Sequence, residues 1–159
     1  MIASVITINV SWSQTNTSGN LQTIKDEISS TLDKFHKSFG NRDTATLRTI
    51  IKSPGIYSGQ EPTEITKGKK FVLNYLMTSY FGDTATIYSI NEREILVAED
   101  EKSAVALEQY IYIPRSKNIP TRCITHLVKT KDLWMIDFFS LNYVISGYDI
   151  DKINEAMEQ

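Results

Sequence analysis

The sequence predicts an α+β fold, three N-terminal helices packed on a strongly curved antiparallel sheet. Two observations predict it. From Leu21 to Phe81 apolar residues recur at spacings of three and four, the helical period, and from Thr84 to Val144 the period becomes two. The order supplies a third. Helices first and strands afterwards, without alternation, put the helices on one face of an antiparallel meander. The chain has 159 residues, 41% hydrophobic and 23% charged, which suits one folded domain. A chain of this length buries roughly 70% of its unfolded surface, so its core needs no staples.

Leu21, Ile24, Ile28, Leu32, Phe35 and Phe39 form one stripe of a first helix, with Asn20 as N-cap and Gly40 as its stop. Asp43 caps a second, shorter helix carrying Leu47, Ile50 and Ile51, which Pro54 ends. A short strand surrounds Ile56 and Tyr57, and Pro62 and Thr63 sit in a loop. Gly68 opens a third helix with Phe71, Val72, Tyr75, Leu76 and Phe81 as its apolar positions. Four strands follow: Thr84 to Ala98, Ser103 to Ile113, Thr121 to Thr130 and Leu133 to Val144. The last two form a hairpin across Lys131-Asp132. Asp149 then caps a tail helix with Ile150, Ile153 and Met157 on one side. The expected organisation is an arm over 1–20, a domain over 21–146 and a tail helix over 147–159.

The apolar run from Met1 to Val10 is far shorter than the about 20 residues of a membrane-spanning helix. It is either the middle of a truncated secretory signal, with Ser11 and Ser13 before a cleavage point, or a frayed arm or extra strand. No Lys or Arg precedes Lys25, so the positive leading region of a signal is missing. The first reading implies a secreted or periplasmic protein, the second a cytoplasmic one.

Lys and Arg number 17 and Asp and Glu 19, a formal net charge of −2. That balance excludes a generally basic nucleic-acid binder. The single cysteine, Cys123, excludes an internal disulfide and a Cys-rich zinc site. Serine-nucleophile, phosphate-loop and dinucleotide patterns are absent. No metal and no cofactor is expected. Lys67, Lys69 and Lys70 crowd the start of the third helix, as a solvated lysine face or as a dock for an acidic group.

Several segments carry a resemblance. Gly40-Asn41-Arg42-Asp43 stands at the first helix break, and Gly68 opens the third helix. Ala104-Val105-Ala106 follows a strand turn, and Leu133-Trp134-Met135-Ile136-Asp137-Phe138-Phe139-Ser140 forms the closing strand. In this order they resemble the nuclear transport factor 2-like superfamily, and within it the SnoaL-like domains, over Leu21 to Val144. Arg42 departs from the usual glycine, and Phe138-Phe139 stand where relatives often carry histidine. The resemblance implies a cone-shaped fold, a homodimer through the outer sheet face and a ligand pocket inside the cone. It implies no single reaction.

Ketosteroid isomerases of that superfamily use a carboxylate base, a tyrosine and a protonated aspartic acid. Counting from Asp43 and Gly68, and along the strand holding Ile124 to Leu127, these positions fall on Gly59, Phe35 and Thr125. All three functions are lost, so that activity is rejected; Glu61 is the carboxylate nearest the base position. No residue is expected to be catalytic. Phe35, Tyr57, Tyr75 and Phe138 are expected to line the cone, with Thr125 as a polar handle for a flat apolar ligand. Core filling is the equal alternative for the same rings. Tyr110, Tyr112, His126 and Phe139 are expected on the outer face as the dimer surface. His36 is expected half-exposed on its helix, and Cys123 buried and inert. Three functions stay open: a non-catalytic binding domain, an isomerase, cyclase or dehydratase with a non-standard residue set, and a dimerisation module.

Overall fold

The computed structural model describes residues 17–59, 63–78, 86–113 and 119–158. The expectations for the arm at 1–13, for Glu61 and for Phe81 lie outside these residues. The elements run α1 (Thr17–Gly40), α2 (Thr44–Ile50), β1 (Ile51–Ser58), β2 (Ile65–Lys67), α3 (Lys69–Thr78), β3 (Thr86–Val97), β4 (Ser103–Ile113), β5 (Thr121–Thr130), β6 (Leu133–Tyr143), a 3-10 turn at Gly147–Asp149 and α4 (Ile150–Met157). The result is an α+β fold. Its helical part is one long helix followed by two short ones, with two strands between α2 and α3.

The α1 stripe is buried as its period demands: Ile24, Ile28, Leu32, Phe35 and Phe39 are each at most 5% exposed. Asp43 caps α2 by accepting the Thr46 N–H at 2.9 Å. Three expected boundaries move. Helix α1 begins at Thr17, so Asn20, expected as its N-cap after an arm over 1–20, lies inside it. Ile51 begins β1 instead of closing α2, and Pro54 lies inside that strand. Proline lacks a ladder donor, and β1 is irregular here: its register with β6 shifts between Ile51 and Ile56.

The six strands form one open sheet in the order β2-β1-β6-β5-β4-β3. It is mixed where an antiparallel sheet was expected, because β1 pairs with β6 in parallel. The β5–β6 hairpin turns at Lys131 and Asp132, both at positive φ, the twist that two-residue hairpins require. Register breaks in β3 and β6 bend the sheet. Helix α1 lies across β3 and β6, and α3 covers β1 and β2. The core between them collects Leu32, Phe35, Leu47, Tyr57, Leu76, Leu127, Ile136 and Phe139.

Candidate functional site

Beneath α1 the apolar core is interrupted by charge. Strand alternation sends Ala104, Ala106, Glu108 and Tyr110 of β4 inward, and all four are buried. Glu108 is 1% exposed. His36 stands four residues after Leu32, so it shares the buried face of α1; its expected half-exposed position is corrected to a buried one. Its Nε2 lies 2.7 Å from Glu108 Oε2. Arg93, inward on β3, donates from Nε to Glu108 Oε1 at 2.8 Å and from Nη2 to Asp33 Oδ1 of α1 at 2.7 Å. Three elements are thus joined through one carboxylate.

Burial pushes the Glu108 carboxyl up, but the hydrogen bonds and charges of His36 and Arg93 outweigh it and hold it below its ordinary value. Burial likewise opposes the Arg93 charge, and Asp33 and Glu108 overcome it. An ionised carboxylate only accepts, so His36 Nε2 carries the proton it donates to Glu108. His36 Nδ1 then faces the interior. It is buried and has no hydrogen-bond partner among the described residues.

The neighbouring strand of the same sheet is β5. Glu108 pairs across the ladder with Cys123, and Tyr110 with Thr121. Burial pushes the Cys123 thiol up to about 12, which makes it a poor nucleophile, and its Sγ lies 3.4 Å from Thr125 Oγ1. Thr121 Oγ1 is a second buried side-chain atom without a described partner. The Tyr110 ring meets His36 edge-on at 5.5 Å, so the two unpartnered atoms belong to neighbours of one tyrosine. Buried polar atoms are costly when unpaired; the cavity between α2 and α3 and the one beside Arg93 are lined by neither His36 nor Thr121.

A file of rings leads away from it. Centroids are 5.5 Å apart for His36 and Phe35, 5.3 Å for Phe35 and Phe139, and 4.8 Å for both Phe139–Tyr57 and Tyr57–Tyr75. At the far end the Tyr75 hydroxyl donates to Glu64. A Cβ on Gly59 would overlap that carboxylate and stand 2.8 Å from the Tyr57 hydroxyl. A carboxylate, Glu64, thus lies against Gly59, the position expected to lack one. Among the expected lining residues, Phe35, Tyr57, Tyr75 and Thr125 gather in this interior.

Phe138 does not. Its cross-strand partner is His126, whereas Phe139 pairs with the fully buried Thr125. The register shifts by one residue at Asp137, so Phe139 takes the inward place expected of Phe138 and leaves the outer face expected for it. Tyr110 also moves: it is 4% exposed and inward. The Tyr112 side chain lies outside the described residues. His126 does stand on the outer face, with its Nδ1 2.6 Å from Asp137 Oδ1. Around it the outer face carries Leu96, Val105, Leu107 and Ile124, all exposed, beside Phe138. Among the described residues no helix is long and apolar enough to cross a membrane, and no group of three His, Cys, Asp or Glu side chains could hold a metal.

No protein-family description and no curated protein matches the chain by sequence. Solved structures do match by shape. An NTF2-like protein of unknown function from Pseudomonas putida KT2440 is 11% identical over 79% of this chain and 90% of its own, with a TM-score of 0.67. An NTF2-like superfamily protein from Salmonella enterica is 14% identical over 80% and 95%, with a TM-score of 0.66. A cystatin-like fold protein from Burkholderia xenovorans is 9% identical over 80% and 96%, also with a TM-score of 0.66. Likeness at such identities is likeness of fold, and the fold of this chain is that of the nuclear transport factor 2-like superfamily.

Proposed function

We propose that the chain is a homodimeric small-molecule-binding domain of the SnoaL-like kind, its helices closing a cone over the concave sheet face. The observation that carries this reading is the pair of buried atoms without described partners, His36 Nδ1 and Thr121 Oγ1, on two residues that both neighbour Tyr110. A ligand with one donor and one acceptor would satisfy both, with its flat body against Phe35, Tyr110 and Thr125. Tyr57, Tyr75 and Phe139 are in mutual ring contact. They form the floor of the site, and the ligand sits at the His36 end. Native mass spectrometry of the purified protein is expected to retain a small-molecule adduct, lost in His36→Phe and in Thr121→Val. An unliganded wild type that also gains no thermal stability from a panel of phenols and aromatic ketones would leave the dimerisation module.

The dimer uses the outer face, with Val105, Leu107, Ile124 and Phe138 in place of Tyr110 and Phe139. These apolar side chains share one sheet face, a patch that a monomer would leave in water. Ile124→Asp is expected to abolish association through the outer face, read as a loss of mass in sedimentation at micromolar concentration. A wild type of monomer mass would refute the dimer.

A second reading, the isomerase, cyclase or dehydratase, is favoured by one observation: a carboxylate-held imidazole faces the interior. Glu108 fixes the His36 tautomer, and Nδ1 can then accept a proton from a bound substrate. Turnover abolished in His36→Gln while the adduct is kept would establish it over simple binding.

A further inference from the structure

We propose that helix α4 of one copy docks in the groove between α2 and α3 of a second copy. The groove has a volume of about 1000 Å3 and is lined by Arg48, Lys69, Lys70, Phe71 and Met77 among others, with no carboxylate among its lining residues. Phe71 presents 64% of its surface to solvent, although its helix is otherwise buried through Val72, Leu73 and Leu76. The groove is thus an apolar floor with three cations around it.

Helix α4 is the complementary shape. Ile150, Ile153 and Met157 recur at three and four and form one stripe, exposed by 50%, 36% and 81%. Asp151, Glu155 and Glu158 recur at four and three and form a second stripe along its flank, against the one cation Lys152. The helix packs chiefly on its own 3-10 turn. Eight residues are below the about 12–15 that an isolated helix needs in water, so an apolar partner is what would stabilise it. The acidic flank matches the groove's cations, and the apolar stripe matches Phe71 and Met77.

The chain's own α4 is badly placed to fill this groove. The groove-lining Gly68 bonds Gly55, and the next residue, Ile56, is level with Phe138. The tail leaves from Tyr143, five residues further along β6, about 17 Å away at about 3.3 Å per residue. The six connecting residues, Val144 to Asp149, span about 20 Å only when fully extended, and the last three are coiled in the 3-10 turn. A second copy escapes this limit, and reciprocal exchange gives each copy one helix and one groove, a contact that closes on itself. This contact does not involve the outer sheet face.

The test is sedimentation of the full chain at low salt over a concentration series. Lys69→Glu/Lys70→Glu and, separately, Asp151→Lys/Glu155→Lys are each expected to weaken self-association about tenfold, and added salt to weaken the wild type. Combining both sets restores it, because the charges then match again with signs exchanged. All four positions are solvent-facing or half-exposed, so circular dichroism and melting temperature should be unchanged. Unchanged association in both variants, or no recovery in the combination, overturns the proposal. Each set is also read in an Ile124→Asp background, where the outer-face contact is removed and the helix exchange alone remains, so the two contacts fail independently.

Discussion

Glu108→Ala is expected to cost about 3–5 kcal/mol, the usual penalty for removing one member of a buried charge network. For a chain of this size that is a fall in melting temperature of about 10 °C. The loss exceeds that of a surface ion pair because Glu108 is 1% exposed and its partners are themselves enclosed: His36 is 7% exposed, and Arg93 is covered by Asp33 and Ser29 of α1. Alanine leaves the guanidinium and the imidazole facing a void. The charge, more than the volume, carries the cost. The triple variant Glu108→Leu/His36→Leu/Arg93→Met should therefore recover much of it, since apolar replacement of an entire buried ion network is often neutral. Acid dependence follows from the same carboxyl. Its value in the folded chain is held below its ordinary 4.5, so its contribution is present in full above that pH and is lost as pH falls below it. Glu108→Gln should flatten that acid limb in a series of thermal melts. The groups facing Glu108 are His36 from α1, Arg93 from β3 and Cys123 from β5, with Asp33 behind Arg93. An acid limb identical to wild type would show that Glu108 contributes no linkage.

The helical stripe of α1 and the β5–β6 hairpin were legible because both are local: one is a period, the other a two-residue turn. The charge network was hidden because its members come from distant parts of the chain, His36 and Glu108 being 72 residues apart. Each nevertheless left a signal. His36 is Leu32 plus four, and Glu108 shares the phase of Ala104 and Ala106, so a carboxylate and an imidazole on inward positions announced a buried pair. Tyr110 shares that phase too, and alternation alone puts it inside; its aromatic character suggested an exposed interface instead. The Phe138–Phe139 exchange was illegible in principle. A bulge changes phase by one residue, and nothing in the local pattern fixes where it falls. In the structure it falls at Asp137, whose side chain finds His126 on the outer face. Glu64 was missed because it acts across Gly59, through space that only a glycine leaves open.

Phe139→Ala is expected to cost about 3–5 kcal/mol, the range for emptying a buried aromatic site. Phe139 is 1% exposed and touches two rings, Tyr57 at 4.8 Å and Phe35 at 5.3 Å, which belong to β1 and α1. Its removal would open a void between a strand and a helix that cannot close without moving both, so little of the loss is recovered by collapse. Phe138→Ala is the control that makes this a test of register. The two residues are adjacent and identical in type, yet Phe138 is half-buried on the opposite face beside His126. Its truncation should leave the folding of one protomer nearly intact and weaken the dimer instead. Urea melts at low protein concentration read the first effect, and sedimentation reads the second. Equal losses for the two variants would place the bulge elsewhere in β6. A large loss for Phe138→Ala alone would mean that the inward face is the one simple alternation from Leu141 does not reach. Loss confined to Phe139→Ala is the result that a bulge between Ile136 and Phe139 predicts.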